Sequence, residues 1–270
     1  MSRIALSVFP LTVLAAGVAP QWAVAQTASA IPDAILGNAP PPRGQAVSYV
    51  TGEPATKGYL AVARGTGPFP ALIIIHEWNG LVDRVRQVAD AFADHGYVTL
   101  AADLYRGRTG SGLEENRQLA SETRGNMPVV IANLNAAQAF LRGRSDVTGK
   151  IGVMGWCFGG GVALSYALGG EHHDATAMFY GSLVTDPPQL TRLDHPIYGT
   201  FAGQDQGIPP DQVRRFAAVL DSIGITNDIH IYDPVPHGFW LYVDQDRAAR
   251  EAPARDAWSR LMRYLARTLR

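Results

Sequence analysis

The chain has 270 residues, of which 47% are hydrophobic and 17% charged, and its formal net charge is −1. These proportions are typical of a globular protein with a sizeable core. A net charge this close to zero also argues against nucleic acid or an anionic membrane as a default partner.

The first 25 residues have the pattern of a secretory signal peptide. Arg3 precedes an apolar stretch that ends near residue 19, and Ala23-Val24-Ala25 forms an A-x-A cleavage site before Gln26. The stretch is short for a membrane span, so cleavage after Ala25 is favoured over retention as an anchor. We therefore expect export without stable membrane insertion, to the periplasm if the source is Gram-negative.

Residues 26–45 include a proline-rich run and are predicted to form an extended segment ahead of one α/β domain, residues 46–270. Apolar runs predict eight strands, of which the first two form an antiparallel pair. Apolar residues at helical spacing lie between most of the later strands. This alternation indicates a mostly parallel sheet with helices on both faces. The predicted strands are residues 47–50, 59–63, 71–75, 97–101, 151–154, 176–179, 197–202 and 227–232.

The only cysteine of the chain, Cys157, lies in the run Gly-Trp-Cys-Phe-Gly that begins at Gly155. This is the spacing of a nucleophile elbow, G-x-S-x-G, with cysteine in place of serine. A predicted strand precedes the run and a predicted helix follows it, so the turn would hold the sulfur above a helix N-terminus. The alternative is an inert buried thiol, since free cysteine often behaves as a small hydrophobe.

Two further groups follow later strands in the order that α/β-hydrolases use: nucleophile, acid, histidine. Asp205 comes after the strand that ends at residue 202, and His237 follows the last strand. Imidazole can exchange a proton with the thiol near neutral pH, and a carboxylate fixes its tautomer. Alone, Asp205 could cap the next helix and His237 could lie on the surface, but their shared position at strand ends favours catalysis.

The segment His76-Glu77-Trp78-Asn79-Gly80 directly follows the third strand. In an α/β-hydrolase this loop supplies one amide of the oxyanion hole, and the residue after the nucleophile supplies the other. We therefore assign these donors to the backbone N–H groups of Trp78 and Phe158. On the residues alone, Glu77 is an exposed loop carboxylate.

Five segments in this order resemble the dienelactone hydrolase family, the carboxymethylenebutenolidases. The resemblance implies a Cys157/Asp205/His237 triad that cleaves an ester or lactone through a thiol acyl-enzyme. It also implies that Glu77 contacts the resting thiol and moves away when substrate binds. The segments are His76-Glu77-x-x-Gly80, Asp103-Leu104-Tyr105, Gly155-x-Cys157-x-Gly159-Gly160, Gly203-x-Asp205 and His237-Gly238-Phe239.

One position departs from the family pattern. The founding enzymes have a carboxylate-binding arginine four residues after the catalytic histidine, and this chain has Leu241 there. Arg117 or Arg124 could replace it, and the sequence does not decide between them. The departure predicts a pocket that is more aromatic and less selective for anions, lined by Trp156, Phe239, Trp240 and Tyr105.

Two other functions stay open beside the family's. A broad carboxylesterase or thioesterase would use the same three residues with a different pocket, and a non-catalytic binding protein would use the scaffold alone. No cofactor is expected, and the absence of H-E-x-x-H or paired cysteines argues against a metal enzyme. The sequence indicates no oligomeric state.

Overall fold

The computed structural model describes residues 30–270, so the predicted signal peptide, residues 1–25, lies outside the described part. Eight strands form one sheet in the order β1-β2-β4-β3-β5-β6-β7-β8, with β1 and β2 antiparallel to their neighbours and the rest parallel. The predicted fold class is confirmed. The strands are β1 Gln45–Val47, β2 Gly58–Ala61, β3 Phe69–Ile75, β4 Val98–Ala102, β5 Val147–Trp156, β6 Ala175–Phe179, β7 Ile197–Ala202 and β8 Asn227–Tyr232.

Helices cover both faces of the sheet because the central strands are apolar on both sides. On β3, Leu72 and Ile74 pack into one core cluster with helices α2 and α8, while Ile73 and Ile75 pack into another with α4 and α5. This alternation is the period-two pattern of a strand buried on both faces. The helices are α1 Asp33–Leu36, α2 Asp83–Asp94, α3 Leu113–Arg124, α4 Met127–Arg142, α5 Phe158–Gly169, α6 Pro187–Leu190, α7 Pro210–Ser222 and α8 Arg247–Leu269.

The described part of the predicted extended segment differs from the prediction. Residues Asp33–Leu36 form helix α1, and Ile35 is fully buried in the same core cluster as α2 and α8. Burial of Ile31, Ile35 and Leu36 holds this stretch against the domain, since buried apolar area is the main stabilising term in folding. For residues 33–36 the prediction of an extended chain is therefore wrong.

Helix α3 has no counterpart in the sequence prediction. Its twelve residues are mostly polar, and only Asn116, Leu119 and Ala120 are buried. A helix with so narrow an apolar face gives little periodic signal. None of the helices within residues 30–270 is both long and apolar enough to cross a membrane.

Register in the sheet brings the strand ends together at one edge. Ile75 is paired with both Ala102 and Gly155, and Trp156 is paired with Phe179. The residues that follow β3, β5, β6, β7 and β8 therefore meet at this carboxyl edge, where open α/β sheets form their binding sites.

Candidate active site

Cys157 occupies the sharp turn between β5 and α5. Its backbone angles are φ 53° and ψ −115°, a conformation that non-glycine residues rarely adopt. The Cys157 N–H donates to the Phe179 carbonyl at 2.9 Å, which ties the turn to the neighbouring strand β6. The partly exposed thiol therefore lies at the N-terminus of α5, where the helix dipole stabilises negative charge.

Two glycines allow the turn because neighbouring backbone occupies the space where their side chains would otherwise lie. A Cβ added at Gly155 would be 2.5 Å from the Gly159 carbonyl, and one added at Gly159 would be 2.4 Å from the Ile75 oxygen. Real Cβ atoms do not approach backbone this closely, so β3, β5 and α5 can pack this way only with glycine at both positions. The strand–turn–helix setting expected for the elbow is thus present.

His237 and Asp205 meet beside the elbow. The His237 Nδ1 lies 2.6 Å from the Asp205 Oδ2, and the other carboxylate oxygen accepts from the Gly207 and Ile208 N–H groups at 2.9 and 3.1 Å. The imidazole also has a side-chain hydrogen bond with Cys157. Since Nδ1 is engaged by the carboxylate, Nε2 is the ring nitrogen left for the sulfur.

The charge state of His237 follows from these partners. Burial by itself would lower the pKa of His237, but the hydrogen bonds to Asp205 and Cys157 outweigh burial and raise it to about 10. For Asp205, burial would raise the pKa, while the bond from His237 and the two backbone donors bring it below the ordinary value. The arrangement therefore stabilises an imidazolium next to a carboxylate.

The loop after β3 contains Trp78, one of the two predicted oxyanion donors. The Tyr105 hydroxyl donates to the Trp78 carbonyl at 3.1 Å and so fixes this loop. Within residues 30–270, neither the Trp78 nor the Phe158 N–H has a hydrogen-bond partner. Both are thus available to an oxyanion.

The His76 side chain has a structural role in this part of the site. Its Nδ1 lies 2.6 Å from the Glu77 carbonyl, and its Nε2 accepts from the Leu104 N–H at 3.2 Å. Burial lowers the pKa of His76, so the neutral ring serves as one donor and one acceptor. Its ring stacks on Phe158, with centroids 6.0 Å apart, and joins the ends of β3 and β4 to the start of α5.

Glu77, which is expected to contact the resting thiol, is buried beside Tyr242. The hydrogen bond to its Oε2 comes from the Tyr242 hydroxyl, while the thiol interacts with His237. Glu77 is only 3% exposed, and burial raises its pKa to about 7 against the opposing effects of Tyr242, His237 and Arg84. One Glu77 oxygen is thus bound by a tyrosine, and the contact of Glu77 with the resting thiol stays a prediction.

Tyr180, Arg84 and Tyr242 also lie around the site, and no sequence motif indicated them. Tyr180 lies under His237 with ring centroids 4.8 Å apart, and burial, then the charges of Glu77 and Cys157, raise its pKa well above the ordinary value. Arg84 donates to the Leu241 carbonyl at 2.8 Å and so holds the chain segment that carries Tyr242. Tyr180 directly follows β6, Arg84 lies in α2 and Tyr242 lies in the loop before α8, where the sequence pattern indicates no function.

The four aromatic residues predicted to line the pocket lie in the core instead. Trp156, Phe239 and Trp240 are fully buried and Tyr105 is 1% exposed. Trp156 stacks on Trp240 with centroids 5.6 Å apart and planes 18° from parallel. The pocket prediction for these residues is wrong, because their rings fill space beneath the site where a substrate cannot reach them.

Of the two arginines considered for a substrate carboxylate, Arg124 is the one near the site. Its guanidinium lies 5.1 Å from the centroid of the Phe158 ring, and its charge influences Tyr105. Arg117 lines an exposed groove on α3 together with Glu114 and Gln118. Leu241 is fully buried, so the side chain at the position that departs from the family pattern packs in the core.

The comparisons with known proteins agree on one family. The model of the dienelactone hydrolase family matches residues 56–269. A relative in Methylorubrum extorquens with the provisional name carboxymethylenebutenolidase is 32% identical over 217 residues, which cover 75% of this chain and 74% of the relative.

Solved structures show the same fold at lower identity. The dienelactone hydrolase of Anabaena variabilis superposes with a TM-score of 0.60 at 23% identity, covering 86% of this chain and 100% of its own. A dienelactone hydrolase-like promiscuous phosphotriesterase from metagenomic libraries gives a TM-score of 0.73 at 18% identity, with coverages of 86% and 100%.

Replacing Asp205 with asparagine should lower the pKa of His237 from about 10, because burial would then be opposed by the Cys157 contact alone. A native pKa above the ordinary 6.5 means that protonated His237 stabilises the fold below pH 6.5, a contribution lost as the pH rises toward 10. The ring-proton NMR titration of His237 measures the shift directly. Asp211→Asn, on the exposed start of α7, is the control, and an unchanged titration in Asp205→Asn would contradict the assignment.

Proposed function

The chain belongs to the dienelactone hydrolase family and is an ester or lactone hydrolase, and we propose that it acts through a thioester formed on Cys157, with His237 and Asp205 as its proton-transfer pair. The observation that carries this proposal is the chain of contacts Asp205–His237–Cys157 at a strained elbow. A carboxylate, an imidazole and a thiol in that order are the elements of nucleophilic catalysis.

The acylation step follows from the positions of these groups. The thiol proton resides on His237 as an imidazolium, and the thiolate attacks the substrate carbonyl carbon, forming a C–S bond and a tetrahedral oxyanion. The Trp78 and Phe158 N–H groups donate to that oxyanion, which they can do at no cost in lost protein hydrogen bonds. The intermediate collapses as the C–O bond breaks, and the leaving alkoxide takes the proton from His237.

Deacylation repeats the sequence with water as the nucleophile. His237 removes a proton from water, the hydroxide adds to the thioester carbonyl, and the C–S bond breaks to release the carboxylic acid. The leaving thiolate recovers its stabilising partner, the imidazolium, and Asp205 holds the ring in one orientation throughout. For a lactone, alcohol and acid remain in a single product molecule.

Glu77 and Tyr242 set the charge beside the sulfur in this proposal. A second carboxylate charge next to a thiolate would disfavour its formation, and the hydrogen bond from Tyr242 engages one Glu77 oxygen. Tyr180 stays a neutral hydroxyl because burial, and then the charges of Glu77 and Cys157, raise its pKa. These three side chains therefore position charge around the nucleophile.

Replacing Cys157 or His237 with alanine should lower kcat for a short activated ester by about 10²–10⁴-fold or more, since each removes a reacting group. Cys157→Ser should also be slower than the native enzyme, because a hydroxyl needs a stronger base than a thiol does. Initial rates on activated esters and dienelactones measure both effects. His230→Ala, on the edge strand β8, is the matched control. Full activity in Cys157→Ala and His237→Ala would overturn the proposal, and a serine variant equal to native would overturn its thiol chemistry.

We further propose that Arg124 binds a carboxylate on the substrate, because its guanidinium stands over the ring of the residue that supplies an oxyanion donor. Arg124→Ala should then raise KM about tenfold for an ester carrying a carboxylate, with little change for a neutral ester of the same size. Arg117→Ala on the same helix should leave both KM values unchanged. A parallel change for neutral and anionic esters in Arg124→Ala would indicate a broad esterase pocket instead.

Export also remains a proposal, supported by the charged start, the apolar stretch and the A-x-A site of the first 25 residues. Expressed in a Gram-negative host, the full chain should yield a periplasmic protein that begins at Gln26, since the peptidase needs small residues at Ala23 and Ala25. Intact-mass measurement of the periplasmic fraction checks this. A chain starting at Met1 in the cytoplasmic fraction would contradict it.

A further inference from the structure

A second cluster of ionisable side chains lies at the opposite edge of the sheet from Cys157. His172 and His173 precede β6, and Asp194 and His195 precede β7, so all four lie at the amino edge. Helix α5 runs from beside Cys157 to Gly169, near this cluster, and its 12 residues span roughly 18 Å. The cluster is therefore separate from the site that the proposed reaction uses.

Three of these side chains converge on one another. The two Asp194 oxygens face ring nitrogens: Oδ2 lies 2.7 Å from the His172 Nδ1 and Oδ1 lies 2.8 Å from the His195 Nδ1. One ligand-type atom from each residue lies within 4.8 Å of the other two. Tetrahedral coordination with bonds of about 2.1 Å places ligand atoms roughly 3.4 Å apart, so small side-chain rotations would suffice.

A chain of hydrogen bonds behind His195 decides which atom it presents to Asp194. The His173 Nδ1 lies 3.2 Å from the Glu171 carbonyl, which can only accept, so this nitrogen carries the proton. The buried neutral His173 then accepts at Nε2 from the Thr176 hydroxyl, 2.8 Å away. That hydroxyl has no second proton, so it must accept from the His195 Nε2–H, also at 2.8 Å.

The His195 Nε2 is therefore held by Thr176, and Nδ1 is the ring nitrogen that faces the carboxylate. Metal-bound histidines show this same pattern, with the distal N–H donated to a fixed acceptor that sets the ring's tautomer. Here Thr176 is that acceptor, and it is fully buried.

We propose that His172, Asp194 and His195 bind one divalent transition-metal ion of the zinc type. Two imidazoles and a carboxylate are borderline ligands that suit such ions better than they suit calcium or magnesium. The carboxylate gives the site its negative charge, and Asp194 and His172 reach solvent, which leaves the fourth position for water.

The surroundings keep the proposed ligands in place. The His172 carbonyl accepts from the Gln138 amide at 2.8 Å and from the Arg142 guanidinium at 2.7 Å. The ligands border a surface pocket of about 210 Å³, which Arg192 and Glu171 also line with opposite charges. Bound metal would join the segments that lead into β6 and β7, so its effect is on stability and leaves the hydrolysis unchanged.

The test is metal binding by the full-length protein after treatment with a chelator. Calorimetric titration with Zn²⁺ should show one site per chain, and Co²⁺ should give visible absorption bands of a four-coordinate nitrogen–oxygen site. His172→Ala and Asp194→Asn should each weaken Zn²⁺ binding by at least about tenfold and abolish the Zn²⁺-induced rise in Tm. Both residues are exposed, so these variants should fold, and native ester hydrolysis verifies that they do.

His230→Ala serves as the matched control and should bind Zn²⁺ as the native protein does. The proposal is overturned if the native protein shows no saturable site. It is equally overturned if His172→Ala and Asp194→Asn bind Zn²⁺ like the native chain, since the metal would then lie elsewhere. Loss of ester hydrolysis in Cys157→Ala leaves this test unaffected, so the two proposals fail independently.

Discussion

The backbone conformation of Cys157 is the constraint on which the rest of the site depends. A residue at φ 53° and ψ −115° is strained, and the strain persists because β5 and α5 are packed into the sheet on either side of it. The close approach of Gly159 to the Ile75 carbonyl leaves the helix no room to relax. The sulfur is therefore presented at the carboxyl edge, where Asp205 and His237 arrive from other strands.

Around the elbow, buried polar side chains hold the loops of the site in place. His76 connects the ends of β3 and β4, Tyr105 fixes the Trp78 carbonyl, and Arg84 holds the backbone of Leu241. Each of these contacts fixes a loop that would otherwise move freely at the sheet edge. Preorganised donors of this kind are what make an oxyanion hole effective, since they need not reorient during the reaction.

The sequence predicts the sheet and the central chemical groups because their signals are local. The elbow glycines surround Cys157, and Asp205 and His237 follow apolar strands, so their positions could be stated from spacing alone. What spacing cannot indicate is burial by distant elements. Trp156 and Trp240 are 84 positions apart in the sequence yet stack in the core, and Glu77 pairs with Tyr242 from another loop.

The cluster of His172 with Asp194 and His195 matches no metal motif for the same reason: its members come together only when β6 and β7 pair.

The most direct test of the central claim is to identify the atom that carries the acyl group during turnover. Mixing the enzyme with a slowly hydrolysed ester, quenching in acid and mapping the peptides by mass spectrometry locates that group. The account predicts one acyl group per chain, attached to Cys157 through sulfur and released by hydroxylamine at neutral pH. Turnover of the ester with the acyl group on another residue, or with Cys157 unmodified under conditions that trap the intermediate, would contradict it.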